Sequence, residues 1–159
     1  MPVSKENLFS TENQLHARLK GKYHDIAENV GKCVFCDLRD KYVVTKDSDW
    51  VLTVNIYPYI NGQLLVLPER HIESYNDLTH EDVLTSDKLI KRGINLLQKE
   101  LQIENYWIIM RQGEIAGKTV RHLHWNIMPY VEGLNTWHFQ EVSITPLDLA
   151  NRLRNAQEK

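Results

Sequence analysis

The sequence predicts an α+β fold in which helices accompany an antiparallel sheet. Short segments rich in β-branched and aromatic residues follow one another through short turns, and the helical patterns are mostly separate from them. This separation is typical of α+β proteins. The chain has 159 residues, of which 42% are hydrophobic. That size suits one domain with a single core, because domains commonly contain about 100–150 residues.

The first predicted element is a helix that begins at Thr11, which has the spacing of a capping box with Gln14, and ends at Gly31. We interpret residues 1–31 as an N-terminal helical extension and residues 32–159 as the main domain. The apolar residues of the helix recur at helical spacing: Leu15, Leu19, Tyr23, Ile26 and Val30.

Three predicted strands follow, at Lys41–Thr45, Trp50–Ile56 and Gln63–Pro68. The first two are separated by the turn-like sequence KDSD, and the next two by YPYING, in which proline, asparagine and glycine are turn residues. Short connections of this kind join antiparallel neighbours. We therefore expect a three-stranded antiparallel meander.

A second helix begins near Thr79, which can form a capping box with Asp82. Pro146 is a favoured first-turn residue and predicts the start of a last helix. The expected apolar residues are Val83, Ile90, Ile94, Leu97 and Leu101 in the second helix, and Leu147, Ala150 and Leu153 in the last. Between these helices we expect two strands, Asn105–Gln112 and Val120–Pro129, joined by a glycine-containing loop.

Charge and hydropathy narrow the class of protein. The formal net charge is −2, from 19 basic and 21 acidic side chains, so bulk charge predicts neither a nucleic-acid duplex nor a membrane as partner. No apolar run approaches the roughly 20 residues that span a bilayer, and the N-terminus lacks a signal-peptide core. We expect a cytoplasmic protein, in which Cys33 and Cys36 bind metal or have a redox role rather than form a structural disulfide.

The stretch VRHLHWNIMP carries the strongest chemical signal. In a strand, His122, His124, Asn126 and Met128 share one face, and the apolar residues between them face a core. Two imidazoles and an amide on one face suit metal binding or catalysis on an anionic group, although His-x-His also occurs on plain solvated sheets.

The loop Gly113–Thr119 leads directly into this stretch and raises the case for function. Its backbone amides, the ammonium of Lys118 and the hydroxyl of Thr119 are groups that hold phosphate. A histidine nucleophile beside a phosphate cradle predicts transfer through a phosphorus–nitrogen bond to imidazole.

The segments GKTVRHLHWNIMP, NIYPYINGQLLVLPERHIESYNDLT and CVFC together resemble the histidine triad (HIT) superfamily of nucleotide hydrolases and transferases. They match in the order that the family has and cover roughly residues 33–129. The resemblance implies a HIT-like fold: a five-stranded antiparallel sheet with packed helices. It also implies a nucleotide substrate and a homodimer joined sheet edge to sheet edge.

The resemblance also implies roles for individual residues. His124 corresponds to the nucleophile, and His122 to the supporting first histidine. Asn55 corresponds to a residue that contacts the ribose of the nucleoside. For Asn55, Arg111 and Gln112, the alternative is that they are solvated polar residues at strand ends. Four residues fall on the phosphate path: Arg111, Gln112, Lys118 and Thr119.

Asn126 departs from the family pattern, because the third histidine is here an amide that cannot carry a proton at neutral pH. A related branch of nucleotidyl transferases and dinucleoside tetraphosphate phosphorylases has a glutamine there, so nucleotidyl transfer through His124 stays compatible. The acceptor is left open: water gives a hydrolase, and phosphate or a sugar phosphate gives a transferase. The alternative is a catalytically weak nucleotide- and zinc-binding regulator or scaffold.

The CVFC sequence has the spacing of half a zinc site. The alternatives are two buried cysteines that act as small apolar residues, or a redox pair, for which the usual βαβ context is missing. Bacterial-type members of the family, which this segment resembles, bind zinc through two cysteines and two histidines. That resemblance implies a structural zinc site of Cys33, Cys36, His71 and His122.

Overall fold

Five strands form one antiparallel sheet in the order β1-β2-β3-β5-β4. The computed structural model describes residues 33–133 and 142–158. The strands are β1 (Val43–Asp47), β2 (Trp50–Val54), β3 (Leu64–Pro68), β4 (Tyr106–Met110) and β5 (Trp125–Pro129). The α-helices are α1 (His80–Leu101) and α2 (Pro146–Gln157), and single 3-10 turns occur at Asp40–Tyr42 and Tyr75–Asp77. The predicted α+β class and five-stranded antiparallel sheet are confirmed.

The sheet has a helix-covered face and an opposite face that carries the polar side chains. The first three strands form the expected meander, and β5 then inserts between β3 and β4. Helix α1 packs across β2 and β3, and α2 lies beside it over β1 and β2. Asn126 of β5 pairs with Leu65 and Ile109. Because side chains alternate along a strand, Asn126 faces away from its buried neighbour Ile127, which belongs to the core beneath the helices.

Two of the strand predictions are too long by more than one residue at their N-terminal ends. Residues predicted as the start of the first strand form a 3-10 turn, so β1 begins at Val43. The predicted strand Val120–Pro129 begins only at Trp125. Met128 lies two residues after Asn126 in β5, so it shares the face of that residue, as expected, and it is fully buried. In the second of these segments the apolar residues Val120 and Leu123 are buried although they lie outside the strand.

The helix starts are confirmed, but their buried faces differ from the prediction. Thr79 and Asp82 form a reciprocal capping box at α1, and the hydroxyl of Thr145 caps α2. Val83 is 38% exposed and Leu147 is 41% exposed, so neither belongs to a packed stripe. The buried apolar residues of the two helices are Leu89, Ile90, Leu96, Leu97, Leu149, Ala150, Leu153 and Ala156. The true stripe of α1 passes through Ser86 and Gly93, two positions that an apolar pattern does not reveal.

Gly93 lets α1 approach the sheet closely. A Cβ atom built on this residue would lie 2.8 Å from a terminal carbon of Ile127 and 3.1 Å from one of Leu52. Real Cβ atoms essentially never occur at the shorter distance, so a side chain here would require Ile127, Leu52 or the helix itself to shift. The contact matters for function because it fixes β5, the strand that carries Asn126, beneath the helix.

Asp82 is a buried carboxylate held by several donors. It accepts hydrogen bonds from the indole nitrogen of Trp50 at 3.0 Å, from the backbone and hydroxyl of Thr79, and from Arg70. Burial by itself raises the pKa of Asp82, but these donors together outweigh it and hold the pKa well below its usual range. The ionised form is thus favoured by the folded state.

We expect the fold to lose stability in acid through Asp82. Because its folded pKa lies below the unfolded value of about 3.9, its contribution is complete above about pH 5 and is lost as the pH falls. Asp82→Asn should lower the free energy of unfolding by about 2–3 kcal/mol at neutral pH. It should also flatten the acid limb, which is the fall of the free energy of unfolding as the pH is lowered in a series of denaturation experiments. Asp87→Asn, at an exposed carboxylate of the same helix, should leave that limb unchanged; equal acid limbs in wild type and Asp82→Asn would contradict the assignment.

The predicted N-terminal helix and its boundary at residue 31 lie outside the described residues and stay a prediction. In the part of the chain that the structure describes, neither helix has the length and apolar character that crossing a bilayer requires.

Candidate active site and metal centre

His124 has one ring nitrogen committed to the backbone. Its Nδ1 lies 2.8 Å from the carbonyl oxygen of His122. A carbonyl oxygen only accepts, so Nδ1 must carry the proton and Nε2 of the neutral ring keeps its lone pair. Burial lowers the pKa of His124 to about 4, with the nearby positive side chain of Lys118 acting in the same direction and the hydrogen bond opposing. The neutral, correctly protonated imidazole is therefore the resting form.

Leu123 anchors the segment between the two histidines. Its side chain is fully buried, and its backbone nitrogen donates to the carbonyl of Ile72 at 2.6 Å. The strand β5 begins only at Trp125. Before that point, this backbone hydrogen bond holds the segment in place of strand pairing. His122 and His124 consequently belong to two different sites. His122 is fully buried near the cysteines, and His124 lines a cleft.

The cleft beside His124 lies on the sheet face opposite the helices. It is a small cleft of about 40 Å³ that is partly open to solvent. Its walls are Phe35, Asn55, Tyr57, Tyr59, Gln63, Leu65, Arg111, Gly117, Thr119, Val120, His124 and Asn126. The Phe35 ring meets the His124 ring edge to face, with centroids 4.9 Å apart. The walls therefore combine aromatic surface with amide, hydroxyl and guanidinium groups, a mixture that suits an anionic ligand with an aromatic part.

The loop before the histidines is fastened to Arg111. Nη1 of Arg111 donates to the carbonyl of Gly117 at 2.9 Å. Gly117 has φ +85°, and a Cβ there would lie 3.1 Å from that same Nη1. Glycine thus permits both the left-handed backbone and the close approach of the guanidinium. The arrangement keeps Arg111 at the cleft wall, which Thr119 also lines.

Lys118 is turned away from the predicted phosphate cradle. Its Nζ donates to the backbone carbonyl of Glu73, and Lys118 is not among the cleft-lining residues. Gln112 is exposed and also stands outside the lining. The structure therefore brings Asn55, Arg111 and Thr119 into one cleft with His124, and leaves Lys118 and Gln112 beside it.

Asn126 is engaged by a neighbouring amide. Its Oδ1 accepts from Nε2 of Gln63 at 3.0 Å, and its Nδ2 points to the carbonyl of Ile109 at 3.5 Å. Oε1 of Gln63 in turn accepts from the backbone nitrogen of Tyr59 at 2.7 Å. Both amide side chains are buried, with Gln63 only 1% exposed and Asn126 only 6%.

Four potential metal ligands converge next to this cleft: Cys33, Cys36, His71 and His122, whose ligand atoms all lie within 4.8 Å of one another. Sγ of Cys36 is 3.3 Å from Nδ1 of His71 and 3.5 Å from Nδ1 of His122, and Sγ of Cys33 is 3.6 Å from the latter. A tetrahedral zinc with bonds of about 2.0–2.3 Å holds its ligands roughly 3.3–3.8 Å apart. The four predicted side chains therefore fit a zinc ion.

Both imidazoles present the nitrogen that a metal needs. Nε2 of His122 donates to the carbonyl of Pro68 at 2.7 Å, and Nε2 of His71 lies 3.0 Å from a carboxylate oxygen of Glu73. These partners leave both Nδ1 atoms, which face the thiols, with free lone pairs. Outer partners of this type commonly orient histidine ligands.

Protonation at the cluster suits a cation. Burial lowers the pKa of His122 to about 4, so this imidazole is neutral. Loss of hydration and the neighbouring Cys33 raise the pKa of Cys36 to about 11, so the metal-free thiol keeps its proton at neutral pH. A divalent cation favours the thiolate, and binding would thus release a proton.

The HIT domain model matches residues 38–133, more than half of the chain. This chain belongs to the HIT family. An uncharacterized HIT-like protein of Methanocaldococcus jannaschii is 30% identical over 105 residues, which cover 64% of this chain and 81% of that protein. The adenosine 5'-monophosphoramidase of Schizosaccharomyces pombe is 28% identical over 101 residues, which cover 61% of this chain and 73% of that protein.

Solved structures show the same fold. A zinc-bound histidine triad family protein from Mycobacterium smegmatis superimposes with a TM-score of 0.67 at 22% identity, covering 80% of this chain and 94% of that chain. The shared HIT fold accounts for the five-stranded antiparallel sheet.

Several cleft residues of this HIT protein were not predicted from sequence. Phe35 lies between the two cysteines, and Tyr57 and Tyr59 lie in the turn that precedes β3. Leu65 is paired with Asn126, and Gln63 lies two residues before Leu65. Because side chains alternate along a strand, Gln63 therefore lies on the same face as Leu65, and this alternation is the sequence signal that predicts its place in the cleft. The aromatic residues carried no such signal, because turn residues do not alternate.

Proposed function

We propose that this HIT protein transfers a nucleoside monophosphate group through a covalent bond to His124. The observation that carries the proposal is the hydrogen bond from Nδ1 of His124 to the carbonyl of His122. It fixes the tautomer in which Nε2 is the nucleophile, on an imidazole that lines the cleft. If His124 only packed against its neighbours, it would need neither that tautomer nor a place beside a guanidinium and a hydroxyl.

The reaction has two displacements at the α-phosphorus. Nε2 of His124 attacks, a phosphorus–nitrogen bond forms, and the leaving group departs with the electron pair of its broken bond to phosphorus. An acceptor oxygen then attacks the nucleotidyl-His124 intermediate, the phosphorus–nitrogen bond breaks, and its electron pair returns to Nε2. The acceptor's proton passes to solvent. Water as acceptor makes the protein a hydrolase, and phosphate or a sugar phosphate makes it a transferase.

The cleft residues divide into those placed for phosphate and those placed for the nucleoside. We assign Arg111 and Thr119 to the phosphate oxygens, because guanidinium and hydroxyl groups recognise phosphate through hydrogen bonds. Asn55 is assigned to the ribose. Lys118 stays in the proposal as a nearby positive charge on the loop, and Gln112 as a residue that reaches substrate only if its exposed side chain turns inward.

A substrate panel with and without inorganic phosphate tests this function. We expect nucleoside monophosphate to be released from dinucleoside polyphosphates or nucleoside phosphoramidates, the second class being supported by the named activity of the S. pombe relative. If added phosphate diverts the product to nucleoside diphosphate, the acceptor is phosphate, and if it does not, the acceptor is water. Nucleotide binding without turnover of any of these substrates would contradict the enzymatic proposal.

That last outcome describes the second candidate, a nucleotide- and zinc-binding regulatory or scaffold protein. Asn126 favours it, because its amide is occupied by Gln63 and Ile109 and supplies no proton to the cleft. We rank it second, since the His124 tautomer is set up for attack whether or not Asn126 takes part.

We also propose that Cys33, Cys36, His71 and His122 hold a structural zinc ion. Two thiols and two imidazoles fill all four tetrahedral positions, which leaves none for water or substrate. The zinc-bound M. smegmatis relative supports the choice of metal. The ion would tie the segment before β1 to the segment before β5 that carries His122 and His124. Thiol ligands of this kind fit the expected cytosolic location, where cysteines stay reduced.

Glu73 should strengthen this zinc site through His71. The hydrogen bond from His71 lowers the pKa of Glu73, so an ionised carboxylate orients the imidazole. We expect Glu73→Gln to weaken zinc binding by about 10–100-fold, measured by competition with a chromophoric chelator. Glu69→Gln, at an exposed carboxylate paired with Lys46, is the matched control; equal zinc affinity in both variants would rule out the role.

The expected homodimer is a further part of the proposal. In the described residues, β4 has a strand neighbour only on its β5 side. Trp107 and Ile108 of this strand are 38% and 44% exposed, and Trp107 packs against Tyr130 with ring centroids 5.3 Å apart. A sheet edge with exposed apolar side chains suits pairing with a second copy. Light scattering of the purified chain measures the assembly directly.

A further inference from the structure

Three consecutive residues between β3 and α1 contact three different parts of the molecule, and we call them the connecting segment. The imidazole of His71 belongs to the metal cluster. The carbonyl of Ile72 accepts from the backbone nitrogen of Leu123 at 2.6 Å. The carbonyl of Glu73 accepts from Nζ of Lys118. The connecting segment therefore contacts the metal cluster, the segment that carries the two site histidines, and the glycine-containing loop.

The connecting segment lies in neither a helix nor a strand. It follows β3, which ends at Pro68, and precedes the 3-10 turn at Tyr75–Asp77. Because no strand pairing holds its backbone, its position depends on the contacts that its side chains and carbonyls make with other parts of the chain. Loss of one contact, such as that of His71 with a metal ion, should therefore loosen the others.

Two cationic side chains hold the loop Gly113–Thr119. Nη1 of Arg111 donates to the carbonyl of Gly117 at 2.9 Å, and the ammonium of the next residue, Lys118, donates to the connecting segment. Thr119, which lines the cleft, follows Lys118 directly. Lys118 thus joins a wall of the cleft to the same three residues that carry a ligand of the metal cluster.

We infer that Lys118 is a positioning residue that couples the metal cluster to the cleft, so that zinc and nucleotide each strengthen the binding of the other. The inference rests on the proposed zinc site and on the proposed nucleotide binding, and it adds the link between them. A segment that zinc has already ordered need not be ordered again when nucleotide binds to the loop. Such coupling is reciprocal by thermodynamic necessity.

Direct contact with phosphate is the other role that a lysine in this loop can have. In the structure its Nζ lies on the carbonyl of Glu73, and Lys118 is not among the residues that line the cleft. The two roles differ in their dependence on the metal. If Lys118 contacts phosphate, Lys118→Met should weaken nucleotide binding by the same factor with and without zinc. If it couples the sites, most of the loss should occur in the zinc-loaded protein.

Hydrogen exchange of the loop tests the link without nucleotide or turnover. The backbone nitrogen of Gly117 donates to the carbonyl of Glu114 at 2.9 Å, so exchange of this amide reports the order of the loop. We expect removal of zinc by a chelator to speed the exchange at least about fivefold in the wild type. In Lys118→Met the exchange should be fast with and without zinc. Lys91→Met, at an exposed lysine of α1, should keep the wild-type response.

The outcomes of the exchange measurement separate the inference from the proposals beneath it. Exchange of the Gly117 amide that does not change when the wild type loses zinc would overturn the inference. The same holds for a zinc response that persists in full in Lys118→Met. A chain that takes up no zinc would contradict the metal site itself, and the inference with it.

Titration with adenosine monophosphate measures the size of the coupling. In the wild type, removal of zinc should raise the dissociation constant of the nucleotide at least about fivefold, and saturating nucleotide should lower that of zinc by the same factor. Lys118→Met should bring both factors to within about twofold of one, and Lys91→Met should retain them. Equal weakening of nucleotide binding by Lys118→Met with and without zinc would overturn the coupling. Absence of nucleotide binding in every variant would instead contradict the proposed function, and the exchange of Gly117 would still decide the link.

Discussion

His124→Ala is expected to lower kcat for nucleoside monophosphate release by at least roughly 10³-fold, the minimum scale for loss of a nucleophile. No other imidazole lines the described cleft, so no neighbour can take over the attack. Nucleotide affinity should change much less, because Arg111, Thr119 and Asn55 stay in place. The measurement is steady-state turnover together with the dissociation constant of the nucleoside monophosphate.

His80→Ala is the matched control for this variant. His80 is an exposed histidine in the first turn of α1, on the helix that covers the other face of the sheet. It should keep both turnover and affinity. Turnover of His124→Ala within a few fold of the wild type would remove His124 from the nucleophile role, and equal losses in both variants would point to a general effect on folding.

Cys36→Ser is expected to lower zinc affinity by more than about 100-fold, because a serine hydroxyl stays protonated where the thiolate is the ligand. Cys36 is the central member of the cluster, with its sulfur in contact with both His71 and His122. The melting temperature should fall as well, since metal that binds only the folded state adds to its stability. Metal content of the purified protein and thermal unfolding with and without added zinc measure the two effects.

Asp37→Asn, at the exposed residue next to Cys36, controls for a local disturbance and should retain zinc. Cys36→Ser should also slow turnover, because His122, which would bind the zinc, supplies the carbonyl that fixes the tautomer of His124. Full metal content in Cys36→Ser, with or without loss of the fold, would contradict the ligand set.

The parts of the fold that local chemistry dictates were predictable from the sequence. The capping box of Thr79 and Asp82 and the start of α2 at Pro146 depend on a few adjacent residues, and the structure has both. The residue at which β5 begins, Trp125, was not predictable from the sequence. The alternation of the segment before it suggested a strand, but only Leu123 finds a backbone partner, at Ile72, and that depends on a segment about 50 residues away.

The metal cluster was likewise more predictable from the sequence than the cleft. The four cluster residues were assigned by family resemblance, and the structure brings all four together. Residue type and the family resemblance both place Lys118 at the phosphates, whereas in the structure its ammonium donates to the carbonyl of Glu73. The pairing of Gln63 with Asn126 requires the register of β3 against β5, which no local pattern contains.

Trapping the covalent intermediate tests the central claim most directly. The protein is mixed with diadenosine triphosphate, quenched at alkaline pH to preserve a phosphorus–nitrogen bond, digested, and examined by mass spectrometry. We predict one adenylyl group on His124 in the wild type and none in His124→Ala. An adenylyl group on another residue, or its persistence in His124→Ala, would contradict the account.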